Sequence, residues 1–157
     1  MVDNPNTPRT GAQRRRDLLA RLEREPDCWV ATAGANSPDG GAVPCMVPLS
    51  FLWWDGTVLC NTRETNPTAR NVAANGHAVI SLGHTRDVVL IETAGELLPD
   101  EALPPAVGQA FVTKSGWDPR GKAPWRFLRF RPRRIRAWHE EHEIEGWELM
   151  HEGRWLV

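Results

Sequence analysis

The chain has no tyrosine, only three cysteines and, at formal charge −1 over 157 residues, almost no net charge. Without an excess of positive charge, no whole-protein field argues for a nucleic acid or a membrane surface as partner. Lysine is scarce as well: Lys114 and Lys122 are the only two, so positive charge is carried by arginine, a bias that fits a GC-rich genome. No apolar run is long enough to span a bilayer. The N-terminal segment up to Thr10 is polar and holds Pro5 and Pro8, so no secretory signal is expected there. Cys28, Cys45 and Cys60 are odd in number and widely spaced, and each falls in a predicted strand. That pattern argues against a disulfide framework and offers no C-x-x-C pair to a metal. Buried, reduced thiols in a cytoplasmic protein are expected. G-x-S-x-G, P-loop and G-x-G-x-x-G motifs are absent, which takes most support from the motif-bearing hydrolases, NTPases and Rossmann enzymes. The long helices that alternate with strands in a parallel sheet are missing too.

What the chain does contain is organised around Gly41 to Gly76. Ala42 to Trp54 is a long apolar run broken by Pro44 and Pro48. Asp55-Gly56 is a pair suited to a two-residue hairpin turn. Thr57 to Thr62 is the return strand, with Val58 and Cys60 on one face and Leu59 and Asn61 on the other. Asn66 suits an N-cap and Pro67 the first helical position. Ala69, Val72 and Ala73 would form the buried face of a short helix that Asn75-Gly76 ends. At the junction, Thr62 and Arg63 meet a helix start carrying Thr68 and Arg70. Free backbone N–H groups, hydroxyls and guanidinium groups together can hold a phosphate or another small anion. Two readings stay open there: an anion site, or a capped helix with solvated arginines.

Around this unit, Met1 to Thr10 is expected to be disordered, and residues 11–157 to form a single domain. Gly11 to Glu25 reads as a helix with Leu18, Leu19 and Leu22 inward; its Arg14-Arg15-Arg16 run reads as a solvated face rather than a surface for an acidic partner. Cys28 to Ala33 is a strand, and Asn36 to Gly41 is a loop of turn formers. His77 to Leu82 and Val88 to Leu98 are strands, with Gly95 marking a bulge or a close backbone approach. Pro105 to Ser115 reads as a helix ending at Gly116. Trp125 to Arg131 and, after Pro132, Arg134 to Trp138 read as a basic, aromatic strand pair. Such a pair could stack nucleobases, or could be barrel strands with apolar residues in and arginines out; the second fits the net charge better. Residues 139–157 form a polar tail anchored by Ile144, Trp147, Leu149, Trp155 and Leu156. His139, Glu140, Glu141 and His142 lack H-E-x-x-H order and read as surface charge, so no metal site is assigned. The sum is a mainly β chain: a small antiparallel barrel of about six strands with peripheral short helices.

This order resembles the pyridoxamine 5′-phosphate oxidase-like split barrels, which include flavin and deazaflavin oxidoreductases of actinobacteria. Its carriers are Gly41-x-x-Pro44-x-x-x-Pro48, Trp54-Asp55-Gly56, Thr62 with Thr68-Ala69-Arg70-Asn71-Val72, and Phe130-Arg131-Pro132 with Arg134-Ile135-Arg136-Ala137-Trp138. The resemblance implies a split barrel that binds FMN or coenzyme F420 at a homodimer interface. It implies that Met46, Val47, Pro48 and Leu49 lie along the tricyclic ring. It implies phosphate contacts from Thr62, Arg63, Thr68, Arg70 and Asn71, and an approach of Trp138 to the partner's site. Many members carry a lysine where Thr68 stands; Arg70, further along the helix, can supply that charge here. The implied activity is hydride transfer between the cofactor ring and a small organic substrate, with no side-chain acid or base nominated. A non-enzymatic flavin or haem carrier on the same barrel is the alternative, and a nucleic-acid-binding barrel a further one. F420 is placed ahead of FMN because the arginine bias fits a GC-rich actinobacterial source and Thr68 stands where a phosphate-pairing lysine is common; Arg129, Arg131, Arg134 and Arg136 are candidates to meet its anionic tail, or are only the outer face of a barrel strand. The abundance of tryptophan, Trp53, Trp54, Trp125 and Trp138 among them, also points to a homodimer.

Overall fold

The hairpin that starts the barrel forms as its residues dictate. Asp55 and Gly56 both take positive φ, 46° and 71°, the pairing that lets a two-residue turn follow the twist of its strands. It joins β2 (Val43–Trp54) to β3 (Thr57–Arg63). The computed structural model describes residues 7–34 and 38–157. Asn36 and Ser37 of the turn-forming loop lie outside the described residues, as do residues 1–6 of the segment expected to be disordered.

The other elements are α1 (Gly11–Arg24), β1 (Asp27–Gly34), α2 (Pro67–Asn75), β4 (His77–Leu82), β5 (Asp87–Leu98), α3 (Pro105–Ser115), β6 (Trp125–His139), β7 (Glu148–His151) and β8 (Arg154–Trp155). All strands pair antiparallel in the order β3-β2-β1-β4-β5-β6-β7-β8. A further pairing of β3 with β6, from Val58–Phe130 to Arg63–Trp125, closes the first six strands into a barrel. Two ladders are short. β2 and β3 pair only from Phe51–Cys60 to Trp54–Thr57, and β1 and β4 only over Trp29–Ala31. The strands splay beyond those points, and α2 packs across the opening against β1, β2 and β3.

Two apolar cores result. Val30, Phe51, Val58, Ile80, Ile91 and Leu128 fill the barrel, with Leu18 and Leu22 of α1 packed on them. Leu52, Leu59, Leu98, Val107, Phe111 and Phe127 form a second core outside it, beneath α3. There Phe111 meets Phe127 edge-to-face at 5.1 Å between centroids; burying one such ring contributes roughly 1.5–3 kcal/mol. Strand β3 is therefore covered on both faces from Val58 to Thr62. Lys114, near the end of α3, donates to the Leu22 carbonyl at 3.1 Å and lies 3.9 Å from the Phe51 ring. Burial pulls its ammonium below its ordinary pKa, against nearby thiols and carboxylates that favour the charge.

Three expectations change. The strand pair at Trp125 to Trp138 is one strand of 15 residues. Pro132 pairs with Thr93 and Arg134 with Glu92, so Arg133 is an extra residue, and this bulge absorbs the donor that proline lacks. The tail is not a loose appendage: β7 pairs with β6, and Leu149 and Met150 are core residues, whereas the supposed anchors Ile144 and Leu156 are exposed. The arginine run is a solvated face only in part, with Arg16 exposed. Arg14 is buried and donates to the Glu143 and Glu145 carbonyls, while Arg15 lies 4.4 Å from the Trp155 ring. Thr10 and Gln13 form a capping box at the start of α1. Arg9 donates from Nε and Nη2 to the two oxygens of buried Glu143 at 2.9 and 2.7 Å. Of the thiols, Cys28 and Cys60 are buried, but Cys45 is only half-buried.

Gly95 marks a close approach and not a bulge. A Cβ there would stand 2.7 Å from the Phe130 ring and 3.3 Å from Val72, both buried. Gly95→Ala should therefore destabilise by about 1–3 kcal/mol, the range for overpacking a core, with the urea midpoint as the measurement. Glu143 generates a pH prediction. Burial alone would raise its pKa, but the Arg9 side chain and the N–H groups of Arg9 and His139 outweigh it and hold the carboxyl at about 2. An unfolded glutamate titrates near ~4.3. The folded value is the lower one, so this contribution is fully present above that pH and is lost as pH falls toward the folded value. Glu143→Gln should cost about 3 kcal/mol at neutral pH. It should also flatten the fall in melting temperature across that acid window; an unchanged slope would refute the assignment.

Candidate functional site

The junction of β3 and α2 leaves a helix N-terminus open. Asn66 stands at the N-cap in extended conformation but makes no capping hydrogen bond. Its Nδ2 instead donates to Thr62 Oγ1 at 2.9 Å. Pro67 has no N–H to satisfy, and the Arg70 N–H bonds the Asn66 carbonyl at 3.1 Å. The N–H groups of Thr68 and Ala69 are thus not capped by the residue placed to do so, at the positive end of the α2 dipole. Arg70 is exposed in this first turn, with no ion-pair partner among the described residues.

The buried positions of α2 are Thr68, Ala69, Asn71 and Val72, a face turned by one residue from the Ala69, Val72, Ala73 stripe expected. The reason is polar. Asn71 donates from Nδ2 to Thr32 Oγ1 at 3.0 Å, Thr68 Oγ1 lies 3.8 Å from Cys45 Sγ, and Asn75 donates to the Ala33 carbonyl at 2.8 Å. These contacts pin α2 to β1 and β2. Thr32 and Cys45 were not foreseen as part of the site. Their signal in the sequence is a polar residue and a thiol at inward positions of two otherwise apolar strands.

Strand alternation puts Arg63 on the opposite face from Thr62. Its guanidinium lies 5.4 Å from the Trp125 ring, and Trp125 meets Trp117 at 5.5 Å. Lys122 lies 4.4 Å from Trp117, and the Glu64 N–H bonds the Pro124 carbonyl at 2.8 Å, docking this loop beside the junction. The open N-terminus, Thr62, Thr68, Arg70 and Asn71 therefore come together, and Arg63 flanks them from a second face.

Of the stretch Met46 to Leu49, expected to lie along a cofactor ring, only alternate residues face outward. Met46 is 61% exposed and Pro48 is exposed, whereas Val47 and Leu49 are half-buried, Leu49 against the barrel core. Pro48 pairs with Trp29, and Met46 with Ala31, which pairs in turn with Val79. Trp29, Val43 and Val79 are exposed beside them, so β2, β1 and β4 share an apolar outer face. Trp138 is not brought to this site. It packs at 5.0 Å on Trp147 at the opposite end of β6 from Trp125.

The arginines of β6 are engaged. Arg129 and Arg131 both donate to Glu96 Oε1, Arg134 to Glu148, and Arg136 to Glu92. Arg131 foremost, then Arg129, holds the Glu96 carboxyl below its ordinary pKa. This ladder is the barrel-strand arrangement, arginines outward, and it removes the support that four free arginines would lend to an anionic tail. His139 Nε2 lies 2.7 Å from Asp87 Oδ1 and Glu140 pairs with Arg86. Among the described residues, no group of three His, Cys, Asp or Glu side chains is placed to hold a metal ion, and no helix is long and apolar enough to cross a membrane.

A family model described as pyridoxamine 5′-phosphate oxidase matches residues 15–139. No curated protein matches the sequence. Among solved structures, a Listeria innocua protein provisionally named a pyridoxamine 5′-phosphate oxidase superposes with TM-score 0.59 at 16% identity, over 78% of this chain and 95% of that one. A protein named F420 reductase gives TM-score 0.57 at 20% identity, over 74% and 93%. A conserved hypothetical protein from Mycobacterium tuberculosis gives 0.62 at 16%, over 90% and 92%. At these identities the likeness is one of fold.

The pinning role of Asn71 separates it from the groups that face solvent. Asn71→Ala leaves the buried Thr32 hydroxyl without its donor and should cost about 1–3 kcal/mol of stability, whereas Arg70→Ala should change stability by less than about 0.5 kcal/mol. Chemical denaturation of both variants checks the contrast; equal losses would contradict it.

Proposed function

The chain belongs to the pyridoxamine 5′-phosphate oxidase family, and from that premise we propose that it is an oxidoreductase using a bound deazaflavin (F420) or flavin (FMN) to transfer hydride to or from a small organic substrate. The observation that carries the reading is the open N-terminus of α2. The N–H groups of Thr68 and Ala69 and the guanidinium of Arg70 fit a cofactor phosphate in charge and in number of donors. Thr62 draws the Asn66 side chain away from the cap and so keeps the site open. Asn71 and Thr68 fix the helix that presents it. Arg63, steadied on Trp125, adds positive charge from the flank.

When bound, the cofactor supplies the hydride chemistry at its ring. The protein supplies the surface: Met46 and Pro48 offer the outward apolar ledge on which a tricyclic ring can lie. The apolar face across β2, β1 and β4, with Trp29 43% and Met46 61% exposed, supports a homodimer with the cofactor at its interface. Packing a second copy there would also exclude water from the ring. Trp138 would then act across that interface, not in its own subunit's site.

Titrating the purified protein with FMN and with F420 tests this. Arg70→Ala should weaken cofactor binding by about 1.5–3 kcal/mol, the range for a charged hydrogen bond, and added salt should weaken it further because Arg70 is exposed. Affinity unchanged in both Arg63→Ala and Arg70→Ala would overturn the assignment. Reoxidation of the reduced cofactor by candidate acceptors then distinguishes an enzyme from a carrier.

A further inference from the structure

At the other end of β3 lies a cavity of about 530 Å³, between the β2–β3 hairpin, the segment leading into α3, and the β7–β8 hairpin. That volume is in the range of small-molecule sites. Three indoles line it: Trp53 at the end of the barrel core, Trp54 on the hairpin and Trp155 on β8. Leu103 adds an apolar wall, and Arg129 and Arg131 enter from β6. Trp53 and Trp155 pack on the barrel core, Trp155 with Arg15 over its ring, whereas Trp54 is 42% exposed and is the indole left open to a ligand.

The polar side of the cavity carries a guanidinium with donors to spare. Arg129 donates through Nε and Nη2 to Glu96 Oε1, and Arg131 donates through Nη1 to the same oxygen. Two guanidinium groups thus share one carboxylate oxygen, and neither is matched to a carboxylate of its own. Arg131 is half exposed and has donors beyond the one on Glu96. Asp55, exposed at the tip of the hairpin, is the other charged lining residue and sets a negative charge at the rim.

We propose that this cavity binds a small, planar aromatic monocarboxylate, its ring against the indoles and its carboxylate on Arg131. Stacking on tryptophan selects a flat ring. The guanidinium fork matches a carboxylate, and the unused donors of Arg131 suit a single one; a second negative charge would meet the Asp55 carboxylate at the rim. The site is independent of the cofactor reading. Thr57, which lines the cavity, and Arg63, beside α2, are at opposite ends of β3, roughly 20 Å apart at ~3.3 Å per residue.

The test uses the full chain and a ligand series of one shape and three charges: 2-naphthoate, 2-naphthamide and 2-naphthylmethylamine. Tryptophan fluorescence and the indole N–H signals in a nitrogen–proton correlation spectrum report binding. Naphthoate should bind saturably and at least about tenfold tighter than the amide, as a charge-assisted contact requires, and the amine should bind weakest. Arg131→Gln should bring naphthoate down to the affinity of the amide, Trp54→Ala should weaken both, and Arg70→Ala should change neither. Equal binding of acid and amide to the native chain overturns the proposal without any variant having to fold. So does an absence of saturation, an Arg131→Gln chain that keeps its preference for the acid, or displacement of naphthoate by FMN.

Discussion

Closure of β3 onto β6 is the constraint from which the other features follow. Six consecutive residue pairs, Val58–Phe130 to Arg63–Trp125, turn an open sheet into a barrel. Because β3 must reach β6, it leaves β2 after only four pairs, and the gap is what α2 covers. A barrel without that gap would have no reason to set a helix N-terminus beside a strand end. Closure also leaves β3 with no solvent face, since α3 covers its outer side. A strand covered on both faces loses alternation of polarity but gains rigidity, and both ends of this one carry a candidate site.

Local chemistry made the hairpin at Asp55-Gly56, the bounds of α2 and α3 and their left-handed glycine caps legible in the sequence, because each depends on residues within a few positions of one another. What was not legible is long-range. The ion pair of Arg9 with Glu143 spans 134 residues, and no pattern around either residue announces it. The same holds for the C-terminal hairpin, whose Leu149 and Met150 read as a short apolar pair in a polar tail until β6 supplies a neighbour. The candidate site divides likewise. Thr62, Thr68 and Arg70 follow from the strand–helix junction, whereas Thr32 and Cys45 come from strands that only the closed barrel brings alongside α2.

Charge along β6 is arranged largely in pairs. On β6, four arginines meet Glu92, Glu96 and Glu148 across neighbouring strands. Exposed pairs of this kind contribute little stability each, but they set what the surface can attract: cations that already hold a carboxylate present a weak potential to a distant anion. Beside the two candidate sites the pairing is incomplete: Arg70 has no ion-pair partner among the described residues, and Arg131 shares its own. The buried knot of Arg9, Arg14 and Glu143 serves a different end, tying the start of α1 to the end of β6.

The scarcity of lysine makes the two that exist useful. Lys122 is exposed on a loop, while the amine of Lys114 is tucked between the Leu22 carbonyl and the Phe51 ring. An acylating reagent meets the first freely and the second, half-buried and held by these two contacts, more slowly. The chain thus carries a built-in reporter and its own control: the ratio of label at the two positions, read by mass spectrometry, reports how firmly the helix that walls the tryptophan-lined cavity is held against the barrel.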